Sequence, residues 1–363
     1  MITANGPAEL AGMTADELGA ILASLGEPAY RGRQLARWIY QSDATSFAEM
    51  SDLPAALRAQ LAERACLTRL EPLTAVRADG GDTVKYLVRL PDGATVETVF
   101  MRYEDGRRSV CLSTQVGCGM GCTFCATGLA GLTRNLTAAE IIDQVLLVQR
   151  TQGERVTNVV FMGMGEPLAN YQATRRALFV LNAPWGVGLG MRHLTVSTVG
   201  LVPQIRMLAR ERLQLTLAVS LHAPDDALRT QLVPINARWP VAELLAASAD
   251  YVRTVGRRVS FEYVLLEGVN DAPEQAASLA QRLVNAARAI DTTPAQSWHV
   301  NLIPWNPVYG MQYRRPDRRR VEAFVRELEH RHVSATVRLE RGVEIDAACG
   351  QLQRTRGLAE AHR

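Results

Sequence analysis

The sequence lacks long hydrophobic runs and has few cysteines for its length. Its 363 residues contain no apolar segment approaching the roughly 20 residues of a membrane-spanning helix. The first six residues, MITANG, lack the basic and then apolar pattern of a secretory signal. Six cysteines, three of them in one short motif, do not resemble the disulfide framework of a secreted protein. We therefore expect a cytoplasmic protein that does not associate with a membrane.

Strong charge of either sign is also missing. A formal net charge of +3 permits an RNA partner but does not argue for one. The length is that of one large domain or two ordinary domains. Because nothing in the sequence suggests an obligate subunit interface, we expect a monomer.

The first 70 residues are predicted to be helical. Apolar residues recur there at a spacing near 3.6, as at Leu35, Trp38 and Ile39, which is the period of an amphipathic helix. The predicted helices cover residues 7–25, 31–41 and 47–65, the last restarting at Pro54. Arg31, Arg33 and Arg37 would give this region a basic face, although a solvated helix surface is the commoner explanation.

Residues 71–105 have a different pattern. Apolar and polar residues alternate over 83–90 and again over 95–100, and Pro91-Asp92-Gly93 between them is typical of a turn. This pattern predicts a β-hairpin, which we interpret as a bridge between domains.

From residue 106 onward, short β-rich apolar runs alternate with helix-like segments. The runs cover residues 110–113, 156–162, 193–197, 215–221, 259–266 and 299–303. The segments between them cover residues 138–150, 171–181, 203–210, 241–254 and 274–289. This alternation is typical of parallel βαβ units.

The pattern predicts an α/β fold with a partial six-stranded (β/α)6 TIM-like barrel. The predicted domains are an N-terminal helical domain (1–70), a β-hairpin bridge (71–105), the barrel (106–333), and a C-terminal strand and tail (334–363).

Three thiols lie close together in Cys118-Gly-Met-Gly-Cys122-Thr-Phe-Cys125. Thiolates normally hold iron–sulfur clusters, and a four-iron cube takes four of them. Three close ligands without an obvious fourth suggest a cube with one open iron. The spacing resembles that of the radical S-adenosylmethionine (SAM) enzymes, which bind SAM at that iron and generate a 5′-deoxyadenosyl radical. Phe124 fits this resemblance, since these enzymes usually have an aromatic residue there.

A structural zinc site and three buried thiols are the alternatives. Zinc sites usually combine one CxxC pair with a second pair of Cys or His, which this sequence lacks. Buried thiols would rarely fall in this spacing by chance. The sequence therefore favours one [4Fe-4S] cluster held by Cys118, Cys122 and Cys125.

Polar residues and glycines follow each predicted barrel strand. Active sites of α/β barrels lie at the C-terminal ends of the strands, so these residues should share one rim. The rim segments after the cysteine motif are 163–167, 197–198, 220–222, 267–271 and 304–307. In the first of them, Gly163 and Gly165 would allow close backbone approach to a ligand. Glu166 could then bind the amino group of SAM.

Cys111, on the first predicted barrel strand, and Cys349, near the chain end, lie outside the triplet. A free cysteine most often serves as a small buried apolar residue. Composition alone does not distinguish that role from a catalytic one. Cys66, in an apolar helical context, is assigned the structural role.

Six motifs together closely resemble the RlmN family of dual-specificity RNA methyltransferases. They are QVGC (115–118), GMGEP (163–167), SLHA (220–223), VPIN (233–236), LIPWNP (302–307) and AACGQL (347–352). The resemblance covers nearly the whole chain, including the N-terminal helices. It implies a radical SAM enzyme that methylates C2 of adenosine in 23S rRNA and tRNA, at adenine 2503 and adenine 37 in family usage.

The resemblance also implies a route for the methyl group. C2 of adenine is electrophilic and cannot simply attack the methyl group of SAM. In the family, one SAM first methylates a cysteine, matched here by Cys349, and a second SAM supplies the radical that activates this methyl group for addition to C2. Cys111 matches the thiol that resolves the protein–RNA adduct. A Cys111–Cys349 disulfide would then form and be reduced in each turnover.

The same matching assigns further residues. The implied SAM contacts are Gly165, Glu166, Ser197, Ser220, Leu221, His222 and Asn306. Glu97 matches a proposed proton acceptor, but the loop between it and Cys111 is loosely matched in length, and an exposed strand carboxylate is the alternative. The implied partners are 23S rRNA, tRNA and an electron donor of the flavodoxin or ferredoxin type. An arginine-rich run over 314–320 could contact RNA or could be a solvated helix start.

Three other functions remain open at this point. A Cfr-type enzyme shares the cluster and both thiols but methylates C8 of the adenosine. A radical SAM enzyme acting on a small molecule or a protein would not need Cys349. A non-catalytic RNA-binding protein with a structural metal would not need Cys111.

Overall fold

The computed structural model describes residues 7–67, 69–129, 131–308, 310–338, 341–342, 345–347 and 351. Its helices are α1 (Ala15–Ser24), α2 (Arg31–Tyr40), α3 (Ala55–Arg64), α4 (Ala126–Leu129), α5 (Ala138–Gln152), α6 (Tyr171–Asn182), α7 (Val202–Arg210), α8 (Asp226–Leu232), α9 (Val241–Val255), α10 (Pro273–Arg288), α11 (Pro294–Ser297) and α12 (Arg318–His330). Its strands are β1 (Ala8–Glu9), β2 (Ala65–Cys66), β3 (Glu71–Ala78), β4 (Thr83–Arg89), β5 (Thr95–Arg102), β6 (Arg108–Cys111), β7 (Gln115–Gly117), β8 (Leu132–Asn135), β9 (Asn158–Phe161), β10 (Leu194–Thr198), β11 (Thr216–Ser220), β12 (Val259–Leu265), β13 (Trp298–Pro304) and β14 (Ala335–Val337).

Reciprocal capping starts two of the helices. Thr14 accepts the backbone N–H of Glu17 at 3.1 Å, and the Glu17 carboxylate accepts the backbone N–H of Thr14 at 2.8 Å. Thr137 and Glu140 form the same pair of bonds at the start of α5. These bonds satisfy N–H groups that have no partner within the helix.

The large sheet has ten strands in the order β14-β13-β12-β11-β10-β9-β6-β5-β4-β3. The strands from β6 through β9 to β14 pair in parallel, whereas β3 to β6 are antiparallel. The six predicted barrel strands correspond to β6 and β9–β13, and the predicted C-terminal strand supplies β14. Within the described residues β3 and β14 are the edges of the sheet, so the barrel is partial, as predicted.

The core lies between this sheet and its outer helices. Phe261 on β12 and Trp298 on β13 are fully buried, with ring centroids 5.5 Å apart. Phe324 of α12 packs on Tyr263 at 5.1 Å in the same layer. Because side chains alternate along a strand, the residues between these aromatic ones face the barrel interior.

The predicted hairpin bridge is continuous with the barrel sheet. β3 adds a third strand to the hairpin, and β5 pairs with β6 through Val99 and Cys111. Antiparallel addition covers the edge that β6 would otherwise expose. The segment therefore extends the sheet.

The N-terminal helices are shorter than the periodicity indicated. α1 begins only at Ala15, because Ala8 and Glu9 pair with the strand that follows α3. α3 begins after Pro54, as predicted. Arg150 on α5 bonds Asp43 at 2.6 Å, which ties this region to the barrel. None of the helices in the described ranges is long and apolar enough to cross a membrane.

Candidate active site

A cavity opens at the C-terminal ends of the barrel strands, the rim that the sequence predicted. Its empty space, including space open to solvent, is about 940 Å³. Most of the predicted metal and SAM residues line it: Cys118, Cys122, Cys125, Gly165, Glu166, Ser197, Ser220, His222 and Asn306. Residues from separate rim segments therefore meet at one place.

A short hairpin that the sequence did not predict holds the start of the cysteine loop. β7 and β8 pair antiparallel, and the backbone N–H of Cys118 donates to the Gly131 carbonyl at 2.8 Å. Gly117 has φ 75°, and a Cβ there would lie 1.9 Å from that carbonyl oxygen. Only glycine fits this approach. At the other end, Trp305 donates from Nε1 to the Phe124 carbonyl at 3.1 Å.

The chemistry of the three thiols fits a cluster. Burial raises the pKa of Cys118 to about 11, and burial and the neighbouring thiols raise the pKa of Cys122 further. Bare thiolates are therefore unfavourable here, and bonding to iron would offset that cost. No three His, Cys, Asp or Glu in the described ranges converge to hold a single ion. Three thiols in one cavity lining suit the thiolate ligation of an iron–sulfur cluster.

The loop after β9 approaches the cysteine segment closely. Gly165 has φ 102°, and a Cβ there would lie 2.5 Å from Cβ of Gln115. The Gln115 side chain accepts the backbone N–H of Glu166 at 2.8 Å. Glycine thus lets this loop contact the segment that leads to the cluster motif.

Glu166 is buried and connects two rim loops. Its carboxylate accepts the backbone N–H of Leu168 at 2.9 Å and that of Val199 at 2.7 Å. Burial raises the pKa of Glu166 to about 7, although the backbone donors oppose this effect. Glu166 lines the cavity, and a carboxylate has acceptor capacity beyond two backbone bonds for an N–H of a ligand.

His222 also lines the cavity, as a neutral imidazole that can donate a hydrogen bond. Burial, and then the charge of Arg229, lower the pKa of His222 to about 3. Its Nδ1 accepts the backbone N–H of Val264 at 3.0 Å, so the ring proton resides on Nε2. The ring packs edge-on against Phe124 at 4.8 Å, next to the cluster cysteines.

Arg229 explains two of the sequence motifs. This fully buried side chain donates to the carbonyls of Val199, Ser220 and Leu221 at 2.7, 2.9 and 3.0 Å. It also donates to Oδ1 of Asn236, in the VPIN motif, at 2.9 Å. Leu221 is buried and is not among the described residues that line the cavity. Its contribution is the backbone carbonyl that accepts the hydrogen bond from Arg229.

Glu97 and Cys111 lie on the antiparallel side of the sheet, outside the described lining of the cavity. Glu97 is 4% exposed, so the alternative of an exposed strand carboxylate is wrong. Its Oε1 lies 3.6 Å from Nζ of Lys85 on the neighbouring strand. Lys85 and Cys111 are each opposite Val99 in the strand register, and Val99 lies two residues after Glu97 on the same strand. Because alternate residues of a strand share a face, Lys85, Glu97 and Cys111 lie on the same face of the sheet.

Cys349 lies outside the described residues, and so does its disulfide with Cys111, which stays a prediction. Described residues on either side of it are anchored to other parts of the chain. Lys85 donates to the Asp346 carbonyl at 3.2 Å, and Gln351 donates to the Pro307 carbonyl at 2.9 Å.

Sequence reasoning missed two cavity residues, Glu262 and Arg338. Glu262 lies inside an apolar strand rather than after it, and Arg338 follows the last strand. The available signal for Glu262 was its position between two core aromatic residues, Phe261 and Tyr263. Because side chains alternate along a strand, Glu262 must point to the face opposite to theirs.

Two family models match the chain. One, described as the ribosomal RNA large subunit methyltransferase N-terminal domain, matches residues 8–67, and the radical SAM superfamily model matches residues 112–280. A probable dual-specificity RNA methyltransferase RlmN from Symbiobacterium thermophilum is 51% identical, over 95% of this chain and 91% of its own. The RlmN relative from Parafrankia sp. is 53% identical over the same shares.

This chain belongs to the RlmN family. The crystal structure of a radical SAM methyltransferase from Sphaerobacter thermophilus has a similar fold, with a TM-score of 0.88, 49% identity, and coverage of 96% of this chain and 99% of that one. Both the predicted family and the predicted radical SAM fold are confirmed. Membership of the radical SAM superfamily implies a [4Fe-4S] cluster and SAM as cofactors.

Proposed function

We propose that this RlmN-family protein is an RNA methyltransferase that methylates C2 of adenosine in 23S rRNA and tRNA. One observation carries the proposal: the three thiols of the cluster motif and the buried Glu166 line the same cavity, in a chain about half identical to RlmN relatives. On either side of Cys349, Gln351 is anchored to Pro307 of the rim and Asp346 to Lys85, which lies beside Glu97.

The cavity residues divide the work of holding cluster and SAM. Cys118, Cys122 and Cys125 would each bind one iron and leave the fourth for SAM. Glu166 would accept an N–H from the amino group of SAM, and Nε2–H of His222 would donate to an acceptor atom of SAM. When bound, SAM and the reduced cluster supply a 5′-deoxyadenosyl radical.

The route of the methyl group uses two SAM molecules per turnover. Cys349 would take a methyl group from the first, and this methyl group would then lose one hydrogen atom to the radical derived from the second. The resulting methylene carbon would bond to C2 of adenine. The adduct would then return one electron to the cofactor and lose its C2 proton to Glu97. The Cys111 thiolate would attack the sulfur of Cys349, so that the disulfide forms, the bond from that sulfur to the methylene carbon breaks, and this carbon takes up a proton to complete the methyl group. Lys85 supports this role of Glu97, since it lies beside that carboxylate and also holds the tail.

RNA contact would involve the N-terminal domain. Arg33 and Arg37 are exposed and line a surface depression together with Trp185, whereas Arg31 pairs with Glu27 at 2.6 Å. Exposed arginines beside an aromatic ring suit phosphate and base contacts.

Two arginines of the run over 314–320 pair with carboxylates. Arg318 pairs with Glu322, and Arg320 pairs with Asp271, each at 2.7 Å.

Four further predictions stay predictions. They are the flavodoxin- or ferredoxin-type donor, the monomeric state, the cytoplasmic location and the domain boundaries.

The test is methylation in vitro. Protein purified and reconstituted without oxygen would be incubated with SAM, a reductant and an unmodified 23S rRNA fragment or tRNA. The digested nucleosides would be compared by mass spectrometry with 2-methyladenosine and 8-methyladenosine. We expect 2-methyladenosine, and we expect none from Cys349→Ala.

Two outcomes would contradict the proposal. Formation of 8-methyladenosine would assign the protein to the Cfr type, which the identity to RlmN relatives does not favour. Cleavage of SAM without methylation of either RNA would leave only the radical SAM assignment.

A further inference from the structure

Glu262 carries a buried carboxylate oxygen that lacks a partner in the described part of the chain. The residue is 4% exposed, lies on β12 and lines the cavity. Its Oε1 accepts Nδ2 of Asn301 at 2.8 Å, whereas Oε2 has no hydrogen-bond partner among the described residues. An unsatisfied buried carboxylate oxygen is costly, so a hydrogen-bond donor from a bound ligand would relieve that cost.

The surroundings fix which end of the Asn301 amide meets this carboxylate. Asn301 is opposite Glu262 in the strand register, and Thr336 of β14 is opposite Asn301. Thr336 donates from Oγ1 to Oδ1 of Asn301 at 3.0 Å. The amide of Asn301 therefore directs its NH2 group toward Glu262 and donates a hydrogen bond to Oε1.

Opposing effects act on the ionisation of Glu262. Burial raises its pKa, and the nearby Arg338 and the bond from Asn301 act in the opposite direction. Arg338 also lines the cavity. A donor from a ligand would act in the same direction as these two groups and stabilise the ionised carboxylate.

Next to Glu262 in the cavity wall is a residue that the family match assigns to SAM. Ser220 on β11 is opposite Glu262 in the register and lines the same cavity. We propose that Oε2 of Glu262 accepts a hydrogen bond from a ribose hydroxyl or from the 6-amino group of an adenosine bound in the cavity. This inference rests on the proposed function, which brings two adenosines to the site, one in SAM and one in the RNA.

Glu262→Gln tests the proposal directly. Asn301 would bind the amide oxygen of the new side chain and leave its NH2 group facing the ligand, so that two donors would meet. Glu243→Gln on the exposed face of α9 is the matched control, because it makes the same chemical change away from the cavity. Both variants would be reconstituted with iron and sulfide, and their iron content and melting temperature compared with wild type.

Two binding measurements separate the two adenosines. The first is equilibrium dialysis of labelled SAM against the reconstituted protein without RNA. The second is the affinity of the same protein for the 23S rRNA fragment with SAM present. Loss of a hydrogen bond to a charged acceptor should weaken the affected binding by about 10- to 100-fold. A loss in the first measurement identifies SAM as the donor, and a loss in the second alone identifies the target nucleotide.

Unchanged binding in both measurements, with iron content retained, would overturn the proposal. If Glu262→Gln does not fold, Glu262→Asp retains the charge but withdraws the oxygens, and the same binding loss is expected. Failure of the proposed function is distinguishable, since wild-type protein would then bind SAM but methylate neither RNA.

Discussion

Oε2 of Glu166 accepts the backbone N–H of Val199 at 2.7 Å and so ties the loop after β9 to the end of β10. The Val199 carbonyl in turn accepts a hydrogen bond from Arg229, also at 2.7 Å. Two buried charged side chains thus hold the rim loops from opposite sides. These bonds position rim residues that face the cavity.

SAM affinity should depend on pH through Glu166. Burial raises the pKa of Glu166 to about 7, and only the ionised carboxylate can accept an N–H of SAM without losing a backbone donor. Affinity should therefore rise as pH increases through about 7 and fall by up to about tenfold per pH unit below it. Equilibrium binding of SAM between pH 6 and 8 would measure this. Glu166→Gln should bind weakly with little pH dependence, and a flat wild-type profile would argue against the role of Glu166.

Removing one thiol of the motif should abolish the cluster. Cys118→Ala or Cys122→Ala should lose most of the iron and the visible absorbance after reconstitution, because two thiolates cannot hold a cube that three share. Cys66→Ala, which removes an exposed thiol outside the cavity, is the control and should retain both. Full iron binding by Cys118→Ala would show that other ligands hold the metal.

The pair of Lys85 and Glu97 should contribute to stability as well as to chemistry. Both side chains are less than a tenth exposed, so Lys85→Met would leave a buried carboxylate without its cation. We expect a loss of about 3–5 kcal/mol in the free energy of unfolding. Chemical denaturation would measure it.

The double variant Lys85→Met with Glu97→Gln should recover much of that stability, since no unpaired charge is left. It should nevertheless fail to methylate RNA, because the proton acceptor is missing. Recovery of methylation together with stability would assign Glu97 a structural role only.

Charge reversal at Arg33 and Arg37 should weaken RNA binding and lower its salt dependence, because fewer counterions are released. The control is Arg282→Glu with Arg288→Glu on α10, which changes net charge equally on an outer helix of the barrel. Filter binding at several salt concentrations would measure both. Equal losses in the two double variants would indicate a general charge effect and not a contact surface.

The sequence revealed those parts of the site that depend on contiguous residues. The cysteine motif and GMGEP occur as unbroken segments, and parallel strand order brings their ends together. Contacts between distant residues could not be predicted this way. Lys85 and Asp346 are separated by 261 positions, and nothing in either segment indicates the other.

Short elements were missed for a different reason. β7 and β8 have three and four residues, too few for a period to appear. The predicted rim consists of residues that follow strands, so it does not include Glu262, whose carboxylate projects from inside β12.

Isotopic labelling of the methyl group tests transfer through Cys349 most directly. The enzyme would be incubated with its RNA and with SAM whose methyl group carries three deuterium atoms. The mass of the product nucleoside would then be measured by mass spectrometry. Transfer through a cysteine-bound methyl group that loses one hydrogen atom to a radical predicts 2-methyladenosine with two deuterium atoms in its methyl group. A methyl group with all three would mean direct transfer from SAM and would contradict the proposed route.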